Sequence, residues 1–218
     1  MRLFSLDERL LTCAGLVRDG ARLADVGTDH AYLPVWLLKN GKISFAVASD
    51  IREKPLETGR QIAEKYKTEN IDFRLGSGLG TIREDDNITD VVIAGMGGEV
   101  IADILAQSEL AKNPELNLIL QPMTRSDELI GFLYENGYEI VTQTALSSKG
   151  KSYTVMAVRY SGRKVFTSSV FRIIGKLDMS DPESVRFIEK HIRNLENKSR
   201  GDDSARELLN ELRLMINE

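Results

Sequence analysis

Three aspartates and a histidine lie next to short apolar runs in the first quarter of the chain. Asp25, Asp29 and His30 belong to the segment ADVGTDHAYLP, and Asp50 ends the run SFAVASD. Carboxylates stabilise a positively charged ligand placed near them. A carboxylate at the end of a strand can also hydrogen-bond the diol of a ribose. The types and spacing of these residues therefore indicate recognition of a cationic nucleoside.

The same segment disfavours a cofactor that carries phosphates. The dinucleotide fingerprint G-x-G-x-x-G needs its second glycine so that backbone can approach a pyrophosphate, and Asp29 holds that position here. The chain also contains no Walker A sequence. S-adenosyl-L-methionine has a ribose, a sulfonium and an ammonium group but no phosphate, so we expect it as the cofactor. A nicotinamide oxidoreductase is a weaker alternative.

These residues also have structural interpretations that the sequence leaves open. Asp50 could cap the helix that follows it, and Asp29 could cap the helix that begins near Tyr32. A cap and a ligand contact are compatible at either position. His30 fits a buried, hydrogen-bonded histidine as well as it fits a contact with substrate.

Strand-like and helix-like segments alternate five times between residues 22 and 137, which predicts parallel strands with right-handed crossovers and helices on both faces. The runs 138–147 and 151–160 are strand-like and too close together for a helix between them. They predict an antiparallel hairpin at one edge of the sheet. Ser5 and Glu8 fit a capping box, so a helix is expected from there to about Val17.

Five loops follow the predicted parallel strands, and all of them carry small or polar residues. They are GTDHAY (27–32), SDIRE (49–53), GSGLG (76–80), AGMGGE (94–99) and QPMTR (121–125). In an open α/β sheet the ligand binds beyond the carboxyl ends of the strands. We therefore expect one site that these loops share.

The chain is helical in pattern after Tyr160, and apolar residues at heptad spacing predict an antiparallel helical hairpin with a coiled-coil-like seam. The predicted seam residues are Val185, Ile188, Ile192, Leu195, Leu208, Leu212 and Met215, with a break at SRGDD (199–203). His191 is expected on the flank of this seam. The chain thus divides into a Rossmann-like α/β domain at 1–160 and a small helical domain at 161–218.

Composition limits the classes of protein to consider. The chain has 218 residues and is 42% hydrophobic. Its net charge is −4, so the net charge alone gives no indication of a nucleic-acid partner. Its single cysteine, Cys13, suits a reducing cytoplasm and lies on an apolar helix face. No apolar run is long enough to span a bilayer or resembles a secretory signal. No metal or membrane is expected, and a monomer is favoured over an oligomer.

Six segments taken together resemble the bacterial TrmK family of tRNA (adenine(22)-N1)-methyltransferases. They are RLADVGTDHAYLP, ASDIREKPLE, RLGSGL, VVIAGMGG, LILQP and ENGYEI, and the resemblance covers about residues 1–160. It implies a Rossmann-like methyltransferase domain, a C-terminal coiled-coil domain, S-adenosyl-L-methionine as methyl donor and tRNA as acceptor.

The resemblance also implies a set of site residues. The cofactor would contact Asp25, Gly27, Thr28, Asp29, His30, Asp50, Ile51, Gly76, Ser77, Gly78, Ala94, Gly95 and Met96. Many relatives carry an acid where this chain has Ser77, so a hydroxyl would take over the contact with the donor adenine. The Asn/Asp-Pro-Pro-aromatic motif of other adenine methyltransferases is replaced here by AGMGG.

Adenine N1 has a lone pair at neutral pH, so catalysis is expected to rest on positioning and on stabilising the cationic product. Asp29, His30, Gly95 and Met96 are the predicted catalytic group, and Asp29→Ala is expected to abolish methyl transfer. Basic residues of the tail could contact tRNA phosphates: Arg186, Lys190, Arg193, Lys198 and Arg200. The alternatives are a methyltransferase for another RNA or a small molecule, and a non-catalytic module that binds the donor.

Overall fold

The computed structural model of the protein describes residues 3–198 and 203–217. The strands in this part of the chain are Ala21–Val26 (β1), Ile43–Asp50 (β2), Ile71–Leu75 (β3), Asp90–Gly97 (β4), Asn117–Thr124 (β5), Tyr138–Ser148 (β6) and Lys151–Tyr160 (β7). The α-helices are Glu8–Leu16 (α1), Tyr32–Lys39 (α2), Glu53–Lys65 (α3), Gly98–Ala106 (α4), Ser126–Glu135 (α5), Ser169–Ile174 (α6), Pro182–Lys198 (α7) and Asp203–Asn217 (α8).

One sheet holds these strands in the order β3-β2-β1-β4-β5-β7-β6. The neighbours from β3 to β5 pair in parallel, whereas β7 is antiparallel to both β5 and β6. The mostly parallel, Rossmann-like sheet that the sequence predicts is confirmed. The strand order reverses between β1 and β4, so the loops that follow these two strands lie next to each other. Such a switch point is where open α/β sheets bind ligands.

The central strands are apolar on both sides because helices cover both faces of the sheet. On β4, Val91 and Ile93 face one core cluster, whereas Val92 faces another with Leu23 of β1. All four of these side chains are fully buried. The resulting rigid sheet fixes the positions from which the five loops leave.

Helix α1 begins differently from the prediction. Its N-cap is Asp7, whose carboxylate accepts a hydrogen bond from Leu10 N at 3.0 Å, while Ser5 is exposed. The expected capping box from Ser5 to Glu8 is therefore wrong. A carboxylate carries a full negative charge at the positive end of the helix, which a serine hydroxyl does not. The second oxygen of Asp7 pairs with Arg9 at 2.7 Å.

The C-terminal helices pack against the rest of the protein. Their shared core contains Ile188 of α7 and Leu212 of α8, both fully buried, together with Ala145 of β6. The predicted seam is reproduced only in part, since Leu209 lies in this core and Met215 is 44% exposed. The predicted break falls largely on residues 199–202, which lie outside the described part of the chain.

Two further features of the fold concern membrane-spanning helices and metal ligands. Across residues 3–198 and 203–217, no helix combines the length and apolar character needed to cross a bilayer. In the same residues, no three His, Cys, Asp or Glu side chains come together as a set of metal ligands.

Candidate active site

A cavity of about 780 Å³ opens at the carboxyl ends of the parallel strands, where the five predicted loops meet. Its size is typical of pockets for small molecules and cofactors. Every predicted site residue except His30 lines it: Asp25, Gly27, Thr28, Asp29, Asp50, Ile51, Gly76, Ser77, Gly78, Ala94, Gly95 and Met96. The structure thus brings together residues from the ends of four strands.

The loop after β1 is tied to the end of β2. Gly27 N and Thr28 N both donate to the Ser49 carbonyl, at 2.8 and 2.9 Å. Gly27 has a φ of +72°, and a Cβ at this position would stand 2.0 Å from Cε of Met96. Glycine is favoured here because of the left-handed turn, and its missing Cβ lets the Met96 methyl group lie across the backbone.

Asp25 presents a buried carboxylate to the cavity and is 4% exposed. Its Oδ2 accepts a hydrogen bond from the Thr28 hydroxyl at 2.5 Å. Burial raises the pKa of Asp25 to about 6; the Thr28 hydrogen bond opposes this rise, and the nearby charges of Asp29 and Asp50 add to it. No basic side chain of the described residues contributes to this balance. The site thus holds an ionisable group that a cationic ligand would stabilise in its charged form.

Asp29 lies at the mouth of the cavity with 66% of its side chain exposed. Its φ of +53° is left-handed, and Ala31, with no side-chain cap, is the residue that begins α2. The structural interpretation of Asp29 as a helix cap is therefore wrong. Asp29 Oδ2 lies 2.9 Å from Nδ1 of His30.

His30 is not among the residues that line the cavity, so its contact with the ligand stays a prediction. Its ring stacks on Tyr32, with 5.9 Å between the ring centroids, and its Nδ1 faces Asp29. The side chain is 39% exposed, so it is not a buried core histidine either. The left-handed turn at Asp29 directs the two side chains differently, and leaves His30 behind the carboxylate.

Asp50 ends β2 with a side chain that is 6% exposed. Its Oδ1 accepts from the Arg52 backbone N–H at 2.9 Å and lies 3.5 Å from Arg52 Nε. The N-cap of α3 is Arg52, so Asp50 makes a local turn and is not the cap of that helix. The neighbouring Ile51 is 69% exposed and provides an apolar surface beside the carboxylate.

The loop after β3 is held from outside the cavity by an ion pair. Arg74 donates from both terminal nitrogens to the Asp86 carboxylate, at 2.5 and 2.6 Å, and to the Thr81 carbonyl at 2.9 Å. These bonds span the segment that contains Gly76, Ser77 and Gly78. Ser77 is exposed to the cavity and precedes a short 3-10 helix.

The loop after β4 is supported by a buried glutamine. Gln121 is fully buried, and its Oε1 accepts from Gly95 N at 3.1 Å. Gly95 has a φ of +81°, which a residue with a Cβ rarely adopts. Gln121 Nε2 donates to the Pro122 carbonyl at 2.9 Å, so both ends of its amide are used. The bond to Gly95 N fixes the Gly95–Met96 turn, which lines the cavity.

Further lining residues were missed from the sequence: Arg9, Leu10, Val26, Tyr32, Leu33, Arg52, Val100, Ile104 and Met123. Tyr32, Arg52 and Met123 lie in the first, second and fifth loops, which the sequence did point to, although these residues were not singled out within them. Arg9 could not be located in this way, because α1 precedes the first strand. The pairing of Asp7 with Arg9 in the first turn of α1 is the one local sign that its guanidinium is held in place.

The cavity therefore combines two buried carboxylates, Asp25 and Asp50, with an exposed carboxylate, Asp29, and with exposed apolar side chains. Tyr32, Ile51, Val100 and Met123 are between 37% and 69% exposed although they are large and apolar. Such surfaces suit flat rings, whereas Asp25, Asp29 and Asp50 suit positive charge and hydroxyl groups. A ligand that combines aromatic rings with a cationic centre matches this distribution.

A family model described as a methyltransferase domain matches residues 6–156. The curated tRNA (adenine(22)-N(1))-methyltransferase of Bacillus subtilis is 37% identical over 166 residues, which are 75% of this chain and 68% of that protein.

Solved structures agree with this match along almost the whole chain. A Streptococcus pneumoniae protein in complex with S-adenosyl-L-methionine has a TM-score of 0.87 and 32% identity, covering 97% of this chain and 100% of the other. The Bacillus subtilis tRNA methyltransferase TrmK has a TM-score of 0.81 and 28% identity, covering 99% and 97% of the two chains.

Proposed function

This chain belongs to the family of tRNA (adenine(22)-N1)-methyltransferases, and we propose that it transfers a methyl group from S-adenosyl-L-methionine to N1 of adenine 22 in tRNA. The observation that carries this function is the match to a curated enzyme of that name at 37% identity over 75% of the chain. The cavity supports it, because its carboxylates and exposed apolar side chains suit a cationic nucleoside and a second flat base.

The residues present fit the donor. Asp50 is a buried acceptor at the end of β2, suited to the ribose hydroxyls, with Ile51 beside it for the adenine ring. Ser77, from the loop after β3, would accept from the adenine amine. Asp25 would face the positive charges of the donor, and the Gly27 and Gly95 turns leave room for close approach.

When bound, S-adenosyl-L-methionine supplies a methyl group on a sulfonium, and a ring nitrogen that accepts it becomes positively charged. N1 of adenine carries a lone pair at neutral pH, so the chain needs no general base to prepare it. Asp29, at the cavity mouth, would stabilise the charge that develops on the adenine ring. His30 would act as a positioning residue by holding the Asp29 carboxylate from behind.

Positioning supplies the rest of the rate enhancement. Gly95 and Met96 lie between the donor region and the mouth, and Gln121 fixes their turn. The target adenine must leave its stack, because N1 faces its pairing partner in a duplex. The exposed side chains of Tyr32 and Met123 offer surfaces for the extruded base.

The function is tested with purified protein, labelled donor and two unmodified tRNA transcripts, one with adenine and one with guanine at position 22. The expected result is label in the adenine transcript alone, with primer extension arrested at position 22. Label in both transcripts, or at another position, would show a different target. Label in neither, with donor bound, would indicate a non-catalytic module.

The role of Asp29 is tested with Asp29→Asn, since asparagine tolerates the left-handed backbone better than alanine. Loss of the carboxylate should lower kcat by about 10²- to 10³-fold, with a smaller loss in donor affinity. Asp127→Asn, in the first turn of α5, is a matched control away from the cavity. Wild-type turnover by the Asp29 variant would remove this residue from the mechanism.

We also propose that residues 1–160 form the catalytic unit and 161–218 a helical extension with a coiled-coil-like seam that contacts tRNA. Arg186, Lys190 and Arg193 are exposed on α7. Arg200, the side chain of Lys198 and the turn between α7 and α8 lie outside the described residues. A monomer acting on tRNA in the cytoplasm is the simplest arrangement.

The hairpin between β6 and β7 connects this extension to the cavity. Lys190 Nζ donates to the Ser152 carbonyl at 3.3 Å, so α7 lies beside the hairpin turn. The Ser148 hydroxyl donates to Glu8 Oε2 at 2.8 Å, so Lys149, the next residue in that turn, lies near the first turn of α1. Basic side chains therefore extend from α7 to the first turn of α1.

Charge reversal tests this surface. Lys190→Glu and Lys149→Glu should each weaken tRNA binding about tenfold near 0.1 M salt and reduce its salt dependence, because phosphate contacts release counterions. Lys39→Glu, at the opposite end of the sheet on α2, is the control. Equal effects of all three substitutions would indicate net charge alone and no specific surface.

A further inference from the structure

We propose that a second cavity, beside the adenine end of the donor site, binds a substituent carried on the exocyclic amine of adenine. The protein therefore accepts S-adenosyl nucleosides that bear a short apolar chain ending in an ammonium group at this position. The inference rests on the function proposed above, because it takes the donor adenine to lie at the loop after β3. It assigns a ligand to a cavity that has no part in the methyl-transfer reaction.

The second cavity has a volume of about 410 Å³ and shares a wall with the first. Four residues line both cavities: Ser77, Gly78, Val100 and Ile104. A Cβ at Gly78 would stand 3.4 Å from Cγ2 of Ile104, so glycine leaves free the space between the loop after β3 and α4. Ser77 is the residue proposed to accept from the adenine amine. A group attached to that amine therefore starts at the wall that the two cavities share.

The second cavity has both apolar and polar walls. Val100 and Ile104, on the shared side, are apolar, and so is the buried Leu79. The other residues that line this cavity alone are small or polar: Gly80, Asp103, Gln107, Ser108 and Glu109. A chain that begins at the adenine amine thus meets apolar surface at the shared wall and hydrogen-bond acceptors beyond it.

Asp103 determines the charge that the ligand should carry. Glu109 already pairs with Lys112 at 2.7 Å, whereas no basic side chain among residues 3–198 and 203–217 pairs with Asp103. An ammonium group near this carboxylate gains a favourable interaction, whereas a phosphate or a carboxylate is repelled. The cavity therefore disfavours a second phosphate-bearing nucleotide and favours an alkylammonium substituent.

The test is calorimetry on the full chain with three ligands: S-adenosyl-L-homocysteine and its derivatives with a propyl or a 3-aminopropyl group on the adenine amine. The propyl derivative should bind within about threefold of the parent, because burial of its carbons offsets the loss of one amine hydrogen bond. The aminopropyl derivative should bind about two- to fivefold more tightly than the propyl one, as expected for an exposed ion pair. Asp103→Asn should remove this difference and leave the affinity for the parent unchanged.

Gly80→Leu tests whether the chain lies in the second cavity. Gly80 lines this cavity but not the first, and a Cβ there would contact no atom within 4 Å, so a leucine fills the cavity without a clash in the loop. The variant should bind both derivatives at least about tenfold more weakly and the parent within about twofold of wild type. Gly15→Leu is the matched control and should change none of the three affinities, since Gly15 is exposed on α1, lines neither cavity and has equally open surroundings.

Three outcomes would overturn the inference. A propyl derivative that binds more than about tenfold more weakly than the parent would mean that the adenine amine is enclosed. Equal affinities of wild type and Gly80→Leu for that derivative would mean that its chain points to solvent. Equal affinities of the wild-type protein for the two derivatives would remove the ammonium group from the ligand. If Gly80→Leu does not fold, Asp103→Asn gives the answer, because Asp103 lines the second cavity alone. A wild-type protein that does not bind the parent would instead refute the proposed function.

Discussion

Asp25→Asn should stabilise the unliganded protein while weakening donor binding. Asp25 is a buried carboxylate whose hydrogen bond comes from the neutral Thr28 hydroxyl. Asparagine can accept the same hydrogen bond through its carbonyl oxygen and carries no charge. The substitution therefore removes the cost of burying an ionised group and keeps the local geometry.

The magnitude follows from the pKa of Asp25, which burial raises from 3.8 to about 6. At 1.36 kcal/mol per pH unit, that difference corresponds to about 3 kcal/mol of folding free energy. Because the folded pKa is raised, the native state binds the extra proton. The stability that the protonated form provides is fully present below pH 3.8 and is lost as the pH rises through about 6. Above that pH the variant should be more stable by about 1–3 kcal/mol, since a buried amide has its own desolvation cost.

The assay is thermal unfolding of wild type and variant between pH 4 and pH 8. For a chain of this length, 1 kcal/mol shifts the midpoint by about 2–4 °C, so the variant should melt about 3–10 °C higher at pH 7.5. The two curves should converge toward pH 4. Calorimetry at pH 7.5 should show a loss of donor affinity of at least tenfold, because the cationic donor loses its buried counter-charge.

Asp90→Asn is the matched control, since Asp90 is also fully buried. Its carboxylate accepts from the Arg18 backbone N–H, Arg18 Nε and Asn117 Nδ2 at 3.0, 2.9 and 2.7 Å. Here the charge is compensated, and the same substitution should lower the melting temperature. The reasoning is refuted if Asp25→Asn melts below wild type at pH 7.5, or if its effect does not change with pH.

Three further outcomes follow from contacts in the fold. Arg74→Met should lower the free energy of unfolding in urea by about 3–5 kcal/mol, because the buried Asp86 carboxylate would lose its ion pair with Arg74. The same variant should bind the donor more weakly, and unchanged binding would show that the loop after β3 does not need this ion pair. Ile188→Ala should cost about 2–5 kcal/mol through a cavity in the C-terminal core, and calorimetry should show donor affinity within twofold of wild type. Gly98→Ala should lower the melting temperature and donor affinity together, since its Cβ would stand 2.1 Å from the Arg125 carbonyl oxygen; normal values for both would contradict the packing.

The sequence predicted the sheet and its loops because periodicity and turn residues are local properties. Buried strands, glycines in turns and carboxylates at strand ends can be recognised from the residues next to them in the sequence, as Gly27 and Asp50 were. The contact between Arg9 and Gln121 could not be recognised in this way, because it joins residues 112 positions apart in the chain. The orientation of His30 depends on a left-handed turn at Asp29, which the residue types allow but do not impose. Helix starts were similarly ambiguous, because both Ser5 and Asp7 are good caps.

The position of β7 between β5 and β6 determines the order in which these strands can pair while the chain is being synthesised. As the chain leaves the ribosome, β6 emerges before β7 but has no place in the sheet until β7 has paired with β5. The backbone edge of β5 therefore stays open during translation of the next twenty-seven or so residues, when it can capture strands of other nascent chains. A nascent chain arrested while β7 is still inside the ribosome should associate with chaperones far longer than one arrested after β7 has emerged completely, because closure of the sheet needs the second arm of the hairpin.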